Sequence, residues 1–220
     1  MVRQDFPLMA IFGPPGAGKG TLCQLAADRY GAIHLSTGQM FRNAISSGNE
    51  LGLRVKNLLA NGILVDDQTT NEIVAETLAH PRLANAPLVI LDGYPRTIGQ
   101  KIFLDEIAEL DKIVLVTAQP DELVRRISGR STCSSCAAIY HDQLRPSQFA
   151  HKCDNCQGTL VKRSDDNPET ARERINDYNE LTAPVLAAYQ TQQAIVKIEP
   201  LDLKAAERQF LALVKEMVKG

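Results

Sequence analysis

Short apolar runs alternate with longer amphipathic stretches along this chain. The apolar runs cover residues 8–12, 32–35, 88–91, 113–117 and 195–198, and polar residues seldom interrupt them. Continuous runs of this length predict parallel strands that are covered on both faces. Helical patterns lie between them, at residues 18–30, 67–79, 98–110, 120–127, 168–193 and 203–219, with Asp202 as the N-cap of the last. The alternation predicts an α/β fold: a doubly wound parallel sheet of five strands with helices on both faces.

Two segments depart from this alternation. Residues 36–65 are helical and contain several glycines, whereas residues 129–166 are polar and lack long apolar runs. We expect both to be insertions into one body made of residues 1–35, 66–128 and 167–220. A chain of 220 residues is long enough for one sizeable core with smaller inserted units, and too short for two full-sized domains.

Composition and charge argue against two classes of protein, dedicated nucleic-acid binders and membrane-spanning proteins. The chain is 44% hydrophobic and 23% charged with a formal net charge of -2, which is typical of a folded protein and not of a dedicated nucleic-acid binder. No apolar run approaches the roughly 20 residues of a membrane span. Asp5 and Pro7 interrupt any secretory-type apolar region, so we expect a cytoplasmic protein.

The first predicted strand leads directly into a glycine-rich loop. Residues 13–21 read G-P-P-G-A-G-K-G-T and precede a predicted helix, which matches the phosphate-binding pattern G-x-x-x-x-G-K. Backbone N–H groups, the helix N-terminus and Lys19 would then surround the phosphates of a nucleoside triphosphate. Gly20 stands where a Ser or Thr commonly holds Mg²⁺, so the ion is expected to be held mostly by water and phosphate, with Thr21 nearby. Asp92 ends the third predicted strand, at the sheet edge where such folds bind ligands, and is the candidate for holding Mg²⁺ through water.

Four of the five cysteines form two C-x-x-C pairs. Cys133 and Cys136 are separated by sixteen residues from Cys153 and Cys156. This spacing predicts a structural Zn²⁺ site with four thiolate ligands, although a redox pair or unligated thiols are also compatible with it. A nucleic-acid zinc ribbon is disfavoured because the intervening segment lacks a basic, aromatic surface. Cys23 is expected to be a small buried helix residue.

Six blocks of sequence occur in the order and spacing found in adenylate kinases. They are residues 13–21, 35–42, 61–66, 92–97, 126–130 and 163–166, followed by Arg174. The chain resembles this family over nearly its whole length. The resemblance implies the reversible reaction Mg·ATP + AMP ⇌ Mg·ADP + ADP. It also implies a monomer with a core, an AMP-binding insertion at 36–65 and a LID at 129–166, where metal-bearing members carry zinc.

The resemblance also implies the site residues. Those implied to contact ATP are Gly16, Ala17, Gly18, Lys19, Gly20, Thr21, Arg126, Arg130, Ile139 and Tyr140. Those implied to contact AMP are Thr37, Arg42, Ile63, Leu64, Val65, Gly93, Tyr94, Pro95, Arg96, Gln100, Arg163 and Arg174. The expected catalytic set is Lys19, Asp92, Arg96, Arg130, Arg163 and Arg174. A set rich in arginine suits phosphoryl transfer, which requires alignment and positive charge more than a nucleophile from the protein.

Three positions depart from the family pattern. Gln39 replaces an acidic residue of the magnesium-water network, Ser131 replaces a second arginine, and Gly99 replaces a proline, which is expected to loosen its turn. Two alternative functions remain. One is a UMP/CMP or GMP kinase on the same scaffold, and the other is a P-loop ATPase with a zinc module. The ATPase would leave the blocks at 36–42 and 92–96 without a role.

Overall fold

The computed structural model describes residues 4–190, 195–199 and 203–219. The strands, in chain order, are β1 (Leu8–Phe12), β2 (Ile33–Ser36), β3 (Val89–Asp92), β4 (Lys112–Val116), β5 (Arg130–Cys133), β6 (Ile139–His141), β7 (Leu160–Val161) and β8 (Ile195–Ile198). The α-helices are α1 (Lys19–Tyr30), α2 (Thr37–Ser47), α3 (Glu50–Ala60), α4 (Asp67–Leu78), α5 (Ile98–Ile107), α6 (Pro120–Ser128), α7 (Pro168–Asp177), α8 (Ala183–Gln190) and α9 (Leu203–Lys219). Asp202, the predicted cap of α9, lies outside the described residues.

A parallel sheet forms the centre of the protein. Across the described ranges its five strands run in the order β2-β3-β1-β4-β8, which confirms the predicted fold class. In β1, Leu8 and Phe12 face one apolar cluster with α4, α5 and α8, whereas Met9 and Ile11 face another with α1 and α9. Both faces are therefore covered, which is why the strand sequences are continuously apolar.

Two predicted helices differ from their expected extent. The helix predicted to end at residue 110 ends at Ile107, because the chain becomes extended at Ala108 and Asp111 pairs with Leu8 of β1 through backbone and carboxylate hydrogen bonds. The helix predicted at 168–193 consists of α7, a π-helical turn at Tyr178–Thr182 and α8, and residues 191–193 lie outside the described ranges.

The two departing segments pack around small clusters of their own. In the first, α2 and α3 surround Phe41 and Val55, and a Cβ on Gly52 would lie 2.1 Å from the Ala44 carbonyl oxygen. In the second, β6, β5 and β7 form an antiparallel sheet, with Tyr140 packed against the cysteines. No helix in the described part of the chain is long and apolar enough to cross a bilayer.

Candidate active site

The glycine-rich loop is held in one conformation by close backbone packing. Gly13 has a φ angle of 147° and lies close to β4. A Cβ on this residue would be 2.2 Å from the Val116 carbonyl oxygen. Gly18, in the left-handed region, immediately precedes α1. Lys19 Nζ donates to the carbonyl oxygens of Gly13 at 2.7 Å and Pro14 at 3.1 Å. Burial lowers the pKa of Lys19 to about 8, against the nearby Asp92 charge that raises it. The loop therefore presents a fixed N–H cradle with its cation held across it.

Gly20 is where the second inserted segment meets the loop. A Cβ on this residue would lie 2.8 Å from Cδ1 of Ile139 and 3.8 Å from Oδ2 of Asp92. Glycine at this position therefore lets β6 pack directly over the start of α1. A Ser or Thr at this position would require the end of the Ile139 side chain to move.

A cavity of about 510 Å³ lies between the loop and the two inserted segments. It is lined by predicted ATP-contacting residues, namely Gly16, Ala17, Gly18, Lys19, Gly20, Thr21, Arg126, Arg130, Ile139 and Tyr140. Its wall also contains Asp92 and further predicted arginines, namely Arg42, Arg96, Arg163 and Arg174. The structure thus gathers these residues from seven helices and strands and the loops between them around one space.

The arginines of this cavity crowd positive charge into a desolvated space. Burial, together with the neighbouring Arg130, lowers the pKa of Arg42 to about 10 and that of Arg163 to about 9. Carboxylates hold some of the arginines: Arg174 Nη1 donates to Asp165 at 2.7 Å, and Arg126 Nε donates to Glu122 at 2.8 Å. Such a site favours a polyanionic ligand, because phosphate groups would offset the mutual repulsion of the guanidinium groups.

A second, smaller cavity of about 80 Å³ adjoins Lys19 and lies beside several of the residues that the resemblance assigns to AMP. It is lined by the predicted residues Leu64, Gly93, Tyr94, Pro95, Arg96 and Arg174. Arg96 Nε donates to the Gly93 carbonyl at 2.8 Å, and the Arg96 carbonyl accepts from Thr182 at 3.1 Å. Lys19, Arg96 and Arg174 therefore lie between two spaces, as a transferred phosphoryl group would require.

Four predicted AMP contacts line neither of these cavities. Val65 is buried beside Phe41, Ile63 is exposed, and the Thr37 hydroxyl donates to the Gly93 carbonyl at 3.0 Å. The fourth, Gln100, is engaged with the protein.

Gln100 supports the turn that carries Arg96. Its Nε2 donates to Asp67 at 2.8 Å, and its Oε1 accepts from the Arg96 amide at 2.7 Å. Asp67 also accepts from Thr97 at 2.7 Å, and a Cβ on Gly99 would lie 2.7 Å from the same carboxylate. Gly99 thus leaves room for this network, whereas the sequence predicts only a looser turn.

Asp92 is paired with a histidine that the sequence analysis did not select. His34 Nε2 lies 3.0 Å from Asp92 Oδ2. Burial by itself raises the pKa of the Asp92 carboxyl, but the hydrogen bond and charge of His34, with Lys19 and Arg96, bring that pKa down to about 2. Burial by itself lowers the pKa of His34, but Cys23 and Asp92 raise it above its ordinary value. Linear spacing does not reveal this pair, because 57 residues lie between the two positions in the sequence. The two residues come together only through the pairing of β2 with β3.

His141 is a further residue whose position in the sequence shows no metal-ligand spacing with the other histidines. It lines the larger cavity, and its Nδ1 accepts from the amides of Gln143 at 3.0 Å and Leu144 at 3.1 Å. Its proton therefore belongs on Nε2, which is buried and has no hydrogen-bond partner within the described ranges. Nε2 faces Gly129, where a Cβ would lie 2.5 Å away.

The two C-x-x-C pairs come together as predicted. The sulfur atoms of Cys133, Cys136, Cys153 and Cys156 lie within 4.8 Å of one another, and the Cys133–Cys156 and Cys136–Cys153 distances are both 3.5 Å. Sulfur atoms around a tetrahedral Zn²⁺ would be roughly 3.8 Å apart, so this set fits the ion.

Backbone amides favour the thiolate form at two of the four cysteines by lowering the pKa of Cys133 and of Cys153, whereas the pKa of Cys136 and of Cys156 is raised. Each C-x-x-C turn is closed by an equivalent backbone hydrogen bond. Ala137 N donates to the Cys133 carbonyl, and Gln157 N donates to the Cys153 carbonyl. Burial by itself raises the pKa of Cys153, but hydrogen bonds from Tyr140 and from backbone amides bring that pKa down to about 6. A metal ligand must be deprotonated, so this environment suits one.

Comparison with known proteins agrees with this geometry. The profile of the family described as "Adenylate kinase" matches residues 11–194. An adenylate kinase of Thermosipho africanus is 39% identical over 213 residues, which are 94% of this chain and 99% of that protein. One of Kosmotoga olearia is 40% identical over 206 residues, covering 91% of this chain and 95% of the relative. One of Archaeoglobus fulgidus is 35% identical over 215 residues, covering 95% and 98%. The resemblance of the six sequence blocks is thereby confirmed, and the chain belongs to the adenylate kinase family.

Proposed function

We propose that the chain catalyses ATP + AMP ⇌ 2 ADP, with ATP in the larger cavity and AMP entering beside the smaller one. The observation that carries this proposal is the position of Lys19, Arg96 and Arg174, which border both cavities. A phosphoryl group passing between two nucleotides would meet these cations throughout the transfer. Phosphoryl transfer has a loose transition state, so alignment and charge are the main contributions that a protein makes.

The residues divide between the two nucleotides. The phosphate loop, Arg126 and Arg130 would hold the ATP phosphates, while Ile139 and Tyr140 would cover the nucleoside. At the smaller cavity Leu64 and residues 93–96 would hold AMP, together with Arg42 from the wall of the larger one. Thr37, Ile63, Val65 and Gln100 line neither cavity and are proposed as AMP contacts on the resemblance alone. Arg163 and Arg174 would bridge the phosphates.

Adenylate kinases use Mg²⁺ with ATP, and Asp92 fits a role in holding it. Its carboxylate lines the larger cavity, its low pKa keeps it ionised, and His34 occupies only Oδ2. Oxygen ligands are those that Mg²⁺ prefers, and Gly20 offers no hydroxyl of its own. When bound, the ion would neutralise charge that develops on the phosphates. Asp92 and Thr21 would hold it through water.

The inserted segments are proposed as moving domains on the core. Residues 36–65 would close over AMP and residues 129–166 would close over ATP as a LID, so that water is excluded before transfer. Gly129 and the Asp165–Asp166 segment are the proposed LID hinges. A structural Zn²⁺ on the four cysteines would make the LID move as one body. Because one chain supplies the walls of both cavities, we expect a monomer.

An acceptor panel tests the function. ADP formation from Mg·ATP is measured with AMP, UMP, CMP, GMP or no acceptor. We expect fast ADP formation with AMP alone. Preference for another monophosphate would instead identify a UMP/CMP or GMP kinase, and equal ADP without an acceptor would identify an ATPase.

A matched pair of variants tests the assigned lysine. Lys19→Met is expected to lose most activity without a change in thermal unfolding, because its charge lies between the two cavities. Lys56→Met removes an exposed lysine of α3 and should leave turnover unchanged. Equal turnover in the two variants would contradict the role of Lys19.

A further inference from the structure

A second group of metal-binding side chains lies beneath the phosphate loop. It consists of Cys23 on α1, His34 on β2 and Asp92 at the end of β3. One ligand atom from each residue lies within 4.8 Å of the other two, and His34 Nε2 is 3.0 Å from Asp92 Oδ2. The reaction proposed above uses Asp92 alone among these residues. Cys23 and His34 therefore have no part in the transfer itself.

We infer that Cys23, His34 and Asp92 form a binding site for one transition-metal ion of the Zn²⁺ class. A thiolate, an imidazole and a carboxylate are all ordinary ligands of Zn²⁺, at bond lengths of about 2.0–2.3 Å. Ligand atoms around a tetrahedral ion of that size lie roughly 3.3–3.8 Å apart. The observed separations thus need adjustments of about an ångström, which side-chain rotation supplies.

The coordination would be incomplete on one side. His34 and Asp92 line the larger cavity, whereas Cys23 is completely buried behind them. An ion bound by the three would have its fourth position directed toward the nucleotide space. This arrangement differs from the cysteine cluster of residues 133–156, where four protein ligands close the coordination sphere.

The charges around the group select the kind of ion. The positive charges of Lys19 and Arg96 act on Asp92 and oppose any cation here. The affinity must therefore come from bonds to sulfur and nitrogen, which favour Zn²⁺ and similar ions over Mg²⁺ and Ca²⁺. Binding would release the thiol proton of Cys23 and the imidazolium proton of His34 to solvent, with no oxidation or reduction.

An ion at this site would compete with catalysis. It would take the Asp92 carboxylate away from the magnesium-water network and place a second cation beside the phosphates. Free zinc would then inhibit phosphoryl transfer. The inhibition rests on the proposed function of the chain and on the role given to Asp92, whereas the binding itself rests on neither.

The test is zinc stoichiometry after equilibrium dialysis of the full chain against Zn²⁺. We expect two zinc ions per wild-type chain and one per Cys23→Ala chain, in which the cysteine cluster at 133–156 is intact. Cys23→Ala removes a sulfur without adding an atom to the core, and His34→Gln is the second variant should the first fail to fold. One zinc ion per wild-type chain, or no loss of zinc in either folded variant, would overturn the site.

Activity separates the two parts of the inference. Without added zinc, Cys23→Ala should match the wild type in ADP formation. With added zinc, the wild type should lose most of its activity while Cys23→Ala retains it. Stoichiometric binding without inhibition would support the site and overturn its effect through Asp92. If neither protein forms ADP from ATP and AMP, the proposed function fails while the zinc count still decides the site.

Discussion

Arg130 holds Asp166 through two hydrogen bonds, from Nε and Nη2 to the two carboxylate oxygens. Arg130 begins β5 and Asp166 directly precedes the cap of α7, so this pair ties the two ends of the segment 129–166 together. The Asp166 side chain is completely buried. The ion pair therefore fixes the base of the proposed LID and orients an arginine that lines the larger cavity.

Asp166→Ala should lower the free energy of unfolding by about 2 kcal/mol. Losing one partner of a fully buried pair costs roughly 3–5 kcal/mol, and we expect less here because the Arg130 side chain is 16% exposed. Urea denaturation measures the change. Asp142→Ala is the matched control, because its pair with Lys162 is exposed on both sides and is worth at most about 1 kcal/mol. Equal stabilities of the two variants would contradict the prediction.

The rate constant kcat/KM for Mg·ATP should fall as the pH rises above about 8. Burial lowers the pKa of Lys19 to about 8, so the free enzyme loses this cation above that pH. The nucleotide does not change charge there, because the second phosphate pKa is about 6. Since kcat/KM reports ionisations of the free enzyme, its pH profile measures the effect. A profile that stays level to pH 10 would show that Lys19 keeps an ordinary pKa.

Gly52→Ala should weaken AMP binding more than ATP binding. The added Cβ would lie 2.1 Å from the Ala44 carbonyl oxygen and 2.6 Å from the Ile45 amide nitrogen. Both are backbone atoms of α2, which cannot move aside as the end of a side chain can. The helices α2 and α3 must therefore separate, at a cost of about 1–3 kcal/mol in stability. The KM for each nucleotide provides the measurement. Leu53→Ala, at a neighbouring side chain that is 71% exposed, should leave both KM values unchanged.

Removing zinc should lower the melting temperature of the protein, and added zinc should restore it. The segment that carries the four cysteines has only a small apolar cluster, so a metal would contribute much of its stability. Calorimetry before chelation, after it and after zinc is returned gives the comparison, with metal analysis at each stage. An unchanged melting curve after verified removal of the metal would overturn the structural role.

The sequence predicts most of the fold correctly because its signals are local. Residues 8–12 are apolar without interruption, and the structure covers β1 on both faces. The glycine-rich loop is also a local signal, since its spacing sets a backbone conformation. The end of α5 was misplaced because it depends on the pairing of Asp111 with β1, which helical periodicity does not encode.

The side-chain pairs of the site were less predictable. The resemblance implies that Gln100 contacts AMP, and only the structure shows that its amide group bonds to Asp67 and to the Arg96 amide. Neither His34 nor His141 shows a spacing that marks it. His34 acquires a partner through the parallel pairing of two strands, and the unpartnered Nε2 of His141 results from the turn that follows β6.

Residue types at fixed spacing are enough to predict the α/β alternation, the phosphate loop, the four-cysteine pattern and the family. The contacts between distant residues are visible only in the folded protein. Folding places Ile139 over Gly20, joins Arg130 to Asp166, and brings Cys23, His34 and Asp92 together. Those contacts depend on strand register, on helix packing and on how the inserted segments lie against the sheet, and no local pattern in the chain specifies such distances.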